Sequence, residues 1–211
     1  MLIEGENLKE SPCIKAKDEL TNKIMNIKLT NNPMTNENIK TEDENIKIED
    51  LKKYEHNIKN LQEFLFDQIK QTYGYGYIDE YHQDIRYLEK YYKHPKRNNF
   101  FVALNMENEI MGTIGIREYD KSYETFEGLY SKKSTASIWR LFVHKNYRRI
   151  KIGTLLLKTA EKFIKEKNYS EIYLHTHKNV EGSLDFWKKS GYLVTMDTEN
   201  ELKTVHMIKK I

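Results

Sequence analysis

The sequence predicts an α/β domain, a mixed and mostly antiparallel central sheet flanked by helices. Three observations point there. The hydrophobic period switches repeatedly between two and 3.6, giving the element order β-α-α-β-β-β-α-β-α-β-β. "FFVAL" and "IMGTIGI" flank a polar "NMENE" turn and form an antiparallel hairpin. One strand–helix–strand crossover spans residues 136–175.

The elements follow in order. Ile46 and Ile48 alternate with polar residues as in a short strand, and Asp50 can cap a helix after it. Leu51, Tyr54, Ile58, Leu61, Leu65 and Ile69 recur at three- and four-residue steps, the mark of one buried helical face. "TYGYGY" breaks that helix, because Gly74 and Gly76 tolerate positive φ. A second helix puts Ile78, Tyr81, Ile85 and Leu88 on one face, and Pro95 ends it. After the hairpin at 100–116 comes a long polar and aromatic connection. "ASIWRLFV" (136–143) is apolar on both faces and reads as a central strand. Ile152, Leu155, Leu156, Ala160, Phe163 and Ile164 make the next helix amphipathic. "EIYLHT" is a strand, "VEGSLDFWKKSGY" a helix stopped by Gly191, and "YLVTM" and "TVHMI" two final strands.

Composition bounds the function. The chain has 211 residues, 38% hydrophobic and 32% charged, with a net charge of +3. That charge is too small to imply nucleic acid. It is unevenly placed: residues 1–50 hold 7 Lys/Arg and 11 Asp/Glu, so the basic excess lies later. Residues 1–44 are rich in Asn, Lys, Glu and Thr and read as a polar, mobile extension ahead of a domain at 45–211; "IKAKDELTNKIMNIKL" within it can form a short helix or strand. Cys13 is the only cysteine, so an intrachain disulfide and a CxxC knuckle are excluded. No apolar run approaches the ~20 residues that span a bilayer, and the start lacks a secretory pattern. The expected setting is the cytoplasm, with no membrane partner.

The stretch "VHKNYRRIKIGTLLL" (143–157) carries the chemistry. A helix start presents unpaired N–H groups and the positive end of the macrodipole, which together make an anion site. Arg148, Arg149 and Lys151 add charge there, and Gly153 permits close approach of a ligand. A pyrophosphate suits such a place, though a solvated basic turn has the same composition. The stretch is neither a Walker loop nor a G-x-G-x-x-G dinucleotide turn.

"ASIWRLFVHKNYRRIKIGTLLLKTAEKF" resembles the acetyl-CoA-binding segment of the GNAT superfamily of N-acetyltransferases, strand–V-x-P-x-Y-R-x-x-G-x-G-x-x-L-L–helix. Val143, Tyr147, Arg148, Gly153, Leu156 and Leu157 match it. "EIYLHTHKN" with "SLDFWKKSGY" resembles the family's next strand and its F-Y-x-K-x-G-F helix end, and "FFVALNMENEIMGTIGI" its preceding hairpin. The resemblance covers roughly residues 45–211 and implies the GNAT fold. It implies that the backbone of Leu141, Phe142 and Val143 pairs with the pantetheine arm. It also implies that the N–H groups of Arg148, Arg149, Ile150, Lys151, Ile152, Gly153 and Thr154 cradle the pyrophosphate of acetyl-CoA. An amine would then attack the thioester directly, helped by positioning, oxyanion stabilisation and proton removal.

Three positions depart from the pattern. Lys151 stands where the first glycine belongs. Trp187 replaces a tyrosine often assigned as the acid for the leaving thiolate; indole cannot serve so, and Trp187 reads as a packing residue beside the cofactor. Ser137 replaces a strand Glu. Candidate bases are then His175, a neutral imidazole with a reference pKa of about 6.5, and Glu118. His175 and His177 share a strand face, but no third ligand accompanies them, so no metal is expected. In proteins of this resemblance the loop "TYGYGYIDEYHQD" walls the acceptor pocket. Tyr75, Tyr77 and Asp79, with Glu80 and Asp84, would suit a cationic amine.

The expectation is transfer of acetyl from acetyl-CoA to a primary amine of a small molecule, amino acid or peptide. The alternatives are a protein N-acetyltransferase acting on lysine or N-termini, and an acetyl-CoA-binding sensor or scaffold, motivated by Trp187 and Ser137. Dimers are common in proteins of this kind, so a homodimer stands among the expected partners.

Overall fold

The computed structural model describes residues 46–54, 57–121 and 123–211. The extension expected at 1–44, its short element and Cys13 lie outside them. The strands are β1 (Lys47–Asp50), β2 (Asn99–Leu104), β3 (Ile110–Glu118), β4 (Thr135–Val143), β5 (Glu171–His177), β6 (Leu193–Asp197) and β7 (Thr204–Lys210). The helices are α1 (Ile58–Tyr73), α2 (Asp79–Arg86), α3 (Ile152–Glu166) and α4 (Ser183–Lys189). This is the order read from the sequence. The strands form one sheet, β1-β2-β3-β4-β5-β7-β6. Only β4 and β5, joined through α3, run parallel; the other neighbours are antiparallel.

Helices cover both faces, and this is why "FFVAL" is apolar throughout. Phe101 and Ala103 pack beneath α3 with Ile114, Ile138, Leu156, Phe163, Ile172 and Trp187. Phe100, Val102 and Leu104 point the other way, into a cluster with Leu61, Leu65, Ile69, Ile85, Leu88 and Tyr92 from α1, α2 and the turn after it.

Two local expectations change. Asp50 does not cap a helix. The strand runs through it, paired with Phe101, and Leu51 N–H donates to the Phe100 carbonyl at 2.8 Å. Asp50 Oδ1 instead accepts from the Lys52 N–H at 2.8 Å, closing a turn. α1 starts after Asn57, whose side chain accepts from Lys59 N–H at 2.9 Å. Leu51 and Tyr54 are buried, as their spacing suggested, but from the turn. The ladder with β2 outcompetes the first helical turn. In α2 and the turn after it, Ile85 and Leu88 face inward as expected, while Tyr81 is exposed and His82 and Asp84 are buried in its place. Gly74 ends α1 with φ 77° and its N–H bonded to the Lys70 carbonyl at 2.9 Å.

Candidate active site

β4 and β5 pair only from Thr135 to Ser137, against Glu171 to Tyr173. Beyond Ile138 and Leu174 no pairing continues, so the β5-facing backbone of β4 is left for another partner. β4 also bulges. Trp139 pairs with Gly115 and Phe142 with Thr113, leaving one extra residue on β4. Arg140 takes φ 50° there, and its carbonyl accepts from the Thr113 hydroxyl at 2.9 Å. A cavity of about 1690 Å³ runs through this split, with one end at the start of α3 and the other between α1, α2 and the connection after β3.

The α3 end is built by "HKNYRRIKIG". A 3-10 turn at Lys145–Tyr147 carries the chain out of β4. The Tyr147 hydroxyl pins it, donating to Glu109 at 2.9 Å and accepting from Asn105 at 3.2 Å. Arg149 and Lys151 both take left-handed φ, 69° and 65°, and Lys151 is the residue that opens α3. The first helical hydrogen bond runs from Leu155 N–H to the Lys151 carbonyl at 3.0 Å. The N–H groups of Ile152, Gly153 and Thr154 therefore have no acceptor in the helix. A Cβ at Gly153 would meet only Phe186 and Val143, at 3.6 Å. Protein packing does not require glycine there, and the position opens onto the cavity. Free N–H groups, three cations and that opening fit a pyrophosphate.

The other end is an aromatic chamber on the α1–α2 side of the sheet. Trp139, His175, His177 and His206 line it from the strands, Tyr73, Tyr75 and His82 from α1, α2 and the loop between them, and Lys121, Tyr123 and Phe126 from the connection after β3. His206 Nδ1 is hydrogen-bonded to the Tyr173 hydroxyl at 2.7 Å. Burial lowers the pKa of each strand histidine. His206 falls to about 4, helped by Lys121 and His177, and His175 falls well below its ordinary value, helped by Lys121 and His206. All are neutral at pH 7.

The chamber's cations are unequal. Arg140 is paired with the buried Asp84 at 2.6 Å. Arg117 is paired with Asp120 and stacks on Trp139 and Tyr91, 4.4 and 4.7 Å from the ring centroids. Lys121 lies over Trp139, 3.9 Å from the ring centroid; among the described residues it has no ion pair. Burial pushes its ammonium down to about 8, with Arg117 and Arg140 acting in the same direction against Asp120.

The structure brings most of the expected residues together. Leu141, Phe142, Val143, Arg148, Arg149, Lys151, Ile152, Gly153, Thr154, Trp187, Tyr75 and His175 all line the cavity. Ile150 does not and is exposed. Glu118 is outside as well: its carboxylate lies 3.9 Å from Arg97, because β3's alternation turns it away from the chamber. Tyr77 and Asp79 are outside too. The Tyr77 hydroxyl donates to Asp79, and its ring packs edge-on against Phe66 at 5.5 Å. Asp84 lines the cavity but is committed to Arg140 and to the Tyr92 hydroxyl, at 2.6 Å. Trp187 is buried against Phe186 and Tyr192, at 5.1 and 5.0 Å, as a packing residue. Ser137 is buried off the cavity, so β4 offers no carboxylate to it. Among the described residues no cluster of three or more His, Cys, Asp or Glu could hold a metal ion, and no helix is long and apolar enough to cross a membrane.

Sequence reading did not find Arg140, Lys121 or His206. Arg140 and His206 had a signal, since each is a polar residue inside an apolar strand and needs a partner or a ligand. Lys121 sits in a polar connection and had none.

Comparison with known proteins agrees with the fold. The model of the acetyltransferase (GNAT) family matches residues 61–192. A spermidine N(1)-acetyltransferase of Thermoplasma acidophilum is 30% identical over 139 residues, 65% of this chain and 83% of that protein. The crystal structure of a GNAT-family acetyltransferase from Staphylococcus aureus superposes with a TM-score of 0.62 at 22% identity, covering 78% of this chain and 99% of the other. The PaiA N-acetyltransferase of Thermoplasma acidophilum, solved with coenzyme A, superposes with a TM-score of 0.55 at 23% identity, covering 78% and 99%.

Proposed function

The chain belongs to the acetyltransferase (GNAT) family, its co-substrate is acetyl-CoA, and we propose that it transfers the acetyl group to a primary amine that enters the aromatic chamber. The observation that carries this reading is one continuous cavity with two different ends, joined at the β4 bulge. The N–H groups at the start of α3 and the side chains of Arg148, Arg149 and Lys151 would hold the pyrophosphate. The free edge of β4 at Leu141 to Val143 would take the amides of the pantetheine arm. Acetyl-CoA supplies an activated thioester carbonyl, and the amine attacks it directly.

The chain's own part is to position the amine and keep it unprotonated. His175 can accept a proton in its neutral form, but a group held so far below its ordinary pKa is a weak base. The chamber offers a second means. Partial burial beside Lys121, Arg117 and Arg140 penalises an ammonium ion, as the lowered pKa of Lys121 itself illustrates. A bound amine would lose its proton for the same reason, and His175 need only relay it. The leaving thiolate needs no acid from Trp187, in keeping with that side chain's burial in the core.

The relative named as a spermidine acetyltransferase raises a second reading, a polyamine acceptor. The chamber's charge weighs against it, since Arg117 and Lys121 already occupy the face of Trp139.

The test is CoA release from acetyl-CoA over a panel of amino acids, their amides, polyamines and peptides. Turnover on at least one amine is expected. Tight acetyl-CoA binding with no turnover on any amine would replace this reading with a sensor or scaffold.

A further inference from the structure

We propose that the acceptor carries a carboxylate as well as its amine, and that Lys121 is the residue that binds the carboxylate. This rests on the acetyl-transfer reading for the identity of the amine, and on the geometry of the chamber for the anion.

Charges confined in the chamber need partners. Two of the three chamber cations have carboxylate partners, Arg140 with Asp84 and Arg117 with Asp120. The three strand histidines are neutral. Glu80 also lines the cavity but is solvent-exposed at the first turn of α2. That leaves Lys121 as the one chamber cation with no ion pair among the described residues, held over Trp139 rather than extended into water. Among the described residues its close contacts are π faces, Trp139 at 3.9 Å and Tyr123 at 5.8 Å, while Asp120 and Asp84 act on it from beyond ion-pair distance. Partly burying an ammonium with no carboxylate in contact is costly, and an anionic ligand group would reduce the cost. The same arrangement disfavours a polycation, because the aromatic face that would receive it is already covered. A molecule with an amine for the thioester and a carboxylate for Lys121 satisfies both ends of the chamber.

The test compares matched acceptors: phenylalanine with phenylalaninamide and phenethylamine, lysine with lysinamide and cadaverine, and spermidine. A short peptide with a free or amidated C-terminus separates free amino acids from peptides as the source of the carboxylate. The acid is expected to exceed its amide in kcat/KM by at least about tenfold, the worth of a charge-assisted hydrogen bond. In Lys121→Met the loss for the acid should exceed the loss for the amide by a similar factor, and Lys121→Arg should restore most of it. Thermal unfolding of both variants checks that the fold is kept.

A second readout does not need turnover: calorimetric binding of N-acetylphenylalanine, against N-acetylphenylalaninamide, to the CoA-saturated protein. If no amine is acetylated but the N-acetyl acid binds in a Lys121-dependent way, the carboxylate site stands and the transferase reading falls. Equal binding of acid and amide, preference for spermidine, or equal losses in Lys121→Met would overturn the proposal.

Discussion

Arg140 on the β4 bulge and Asp84 on α2 form a bidentate pair, with Nη2 2.6 Å from Oδ1 and Nε 3.0 Å from Oδ2. A second Arg140 contact, from Nη2 to the Tyr81 carbonyl at 2.5 Å, ties the same guanidinium to the helix backbone. The pair therefore clamps α2, one wall of the chamber, to the bulge of β4. Burial alone would raise the Asp84 pKa, but Arg140 and the Tyr92 hydroxyl hold it below the usual carboxylate range.

Asp84→Ala is expected to cost about 3–5 kcal/mol, because it strands a buried guanidinium. Arg140→Met should also destabilise. The double variant should lose less than the two single losses combined, by about 1 kcal/mol or more. Urea denaturation of the four proteins measures this, and strict additivity would show that the pair is not coupled. Because Asp84 is depressed, its stabilising share is present above the unfolded carboxylate pKa and is lost as pH falls through the folded one.

Gly153→Val separates fold from ligand. The Cβ meets neighbours only at ordinary contact distance, 3.6 Å, and the backbone is not left-handed there. Stability should change by no more than about 1 kcal/mol, because valine's helix propensity is no worse than glycine's. Acetyl-CoA affinity should fall at least about a hundredfold, since the side chain enters the space beside the free N–H groups. Unchanged affinity in a titration would remove the pyrophosphate from this loop.

Lys151 tests the loop's backbone. At φ 65° an L-residue carries a cost of roughly 1–2 kcal/mol that glycine avoids, partly offset by glycine's entropy. Lys151→Gly should leave stability unchanged or raise it by up to about 1 kcal/mol, whereas Lys151→Val should lower it by about 1–2 kcal/mol. A Lys151→Val variant as stable as Lys151→Gly in chemical denaturation would mean the loop does not hold this conformation.

The pH dependence follows from Lys121. Its ammonium is lowered to about 8, so it is charged below that pH and neutral above it. Binding of N-acetylphenylalanine, whose carboxylate stays ionised throughout, should weaken as pH rises through 8 and onward. In Lys121→Arg the break should vanish, because a guanidinium does not titrate there. A flat profile in the unaltered protein would contradict a charged Lys121 at the site.

Much of this protein was legible in its sequence, for local reasons. A short run apolar on both faces and bounded by polar turns reads as a buried strand, so "FFVAL" and "ASIWRLFV" declared themselves. A helix start with basic residues and Gly153 declared an anion site, because free N–H groups follow from helix geometry alone. The element order and the single crossover needed no coordinates either. What the sequence could not decide depends on contacts between distant segments. Asp50 pairs in a ladder rather than capping a helix because β2, about fifty residues on, supplies the competing partner. Asp84 looked like a site for a cationic amine until Arg140, 56 residues away, claimed both its oxygens. Glu118, Tyr77 and Asp79 have suitable chemistry, but the twist and alternation of their elements turn them away from the cavity. Lys121 has an ordinary place in a polar connection. Only the packing of that connection over Trp139, between two cations that already have partners, makes it the charge that the chamber leaves to its ligand.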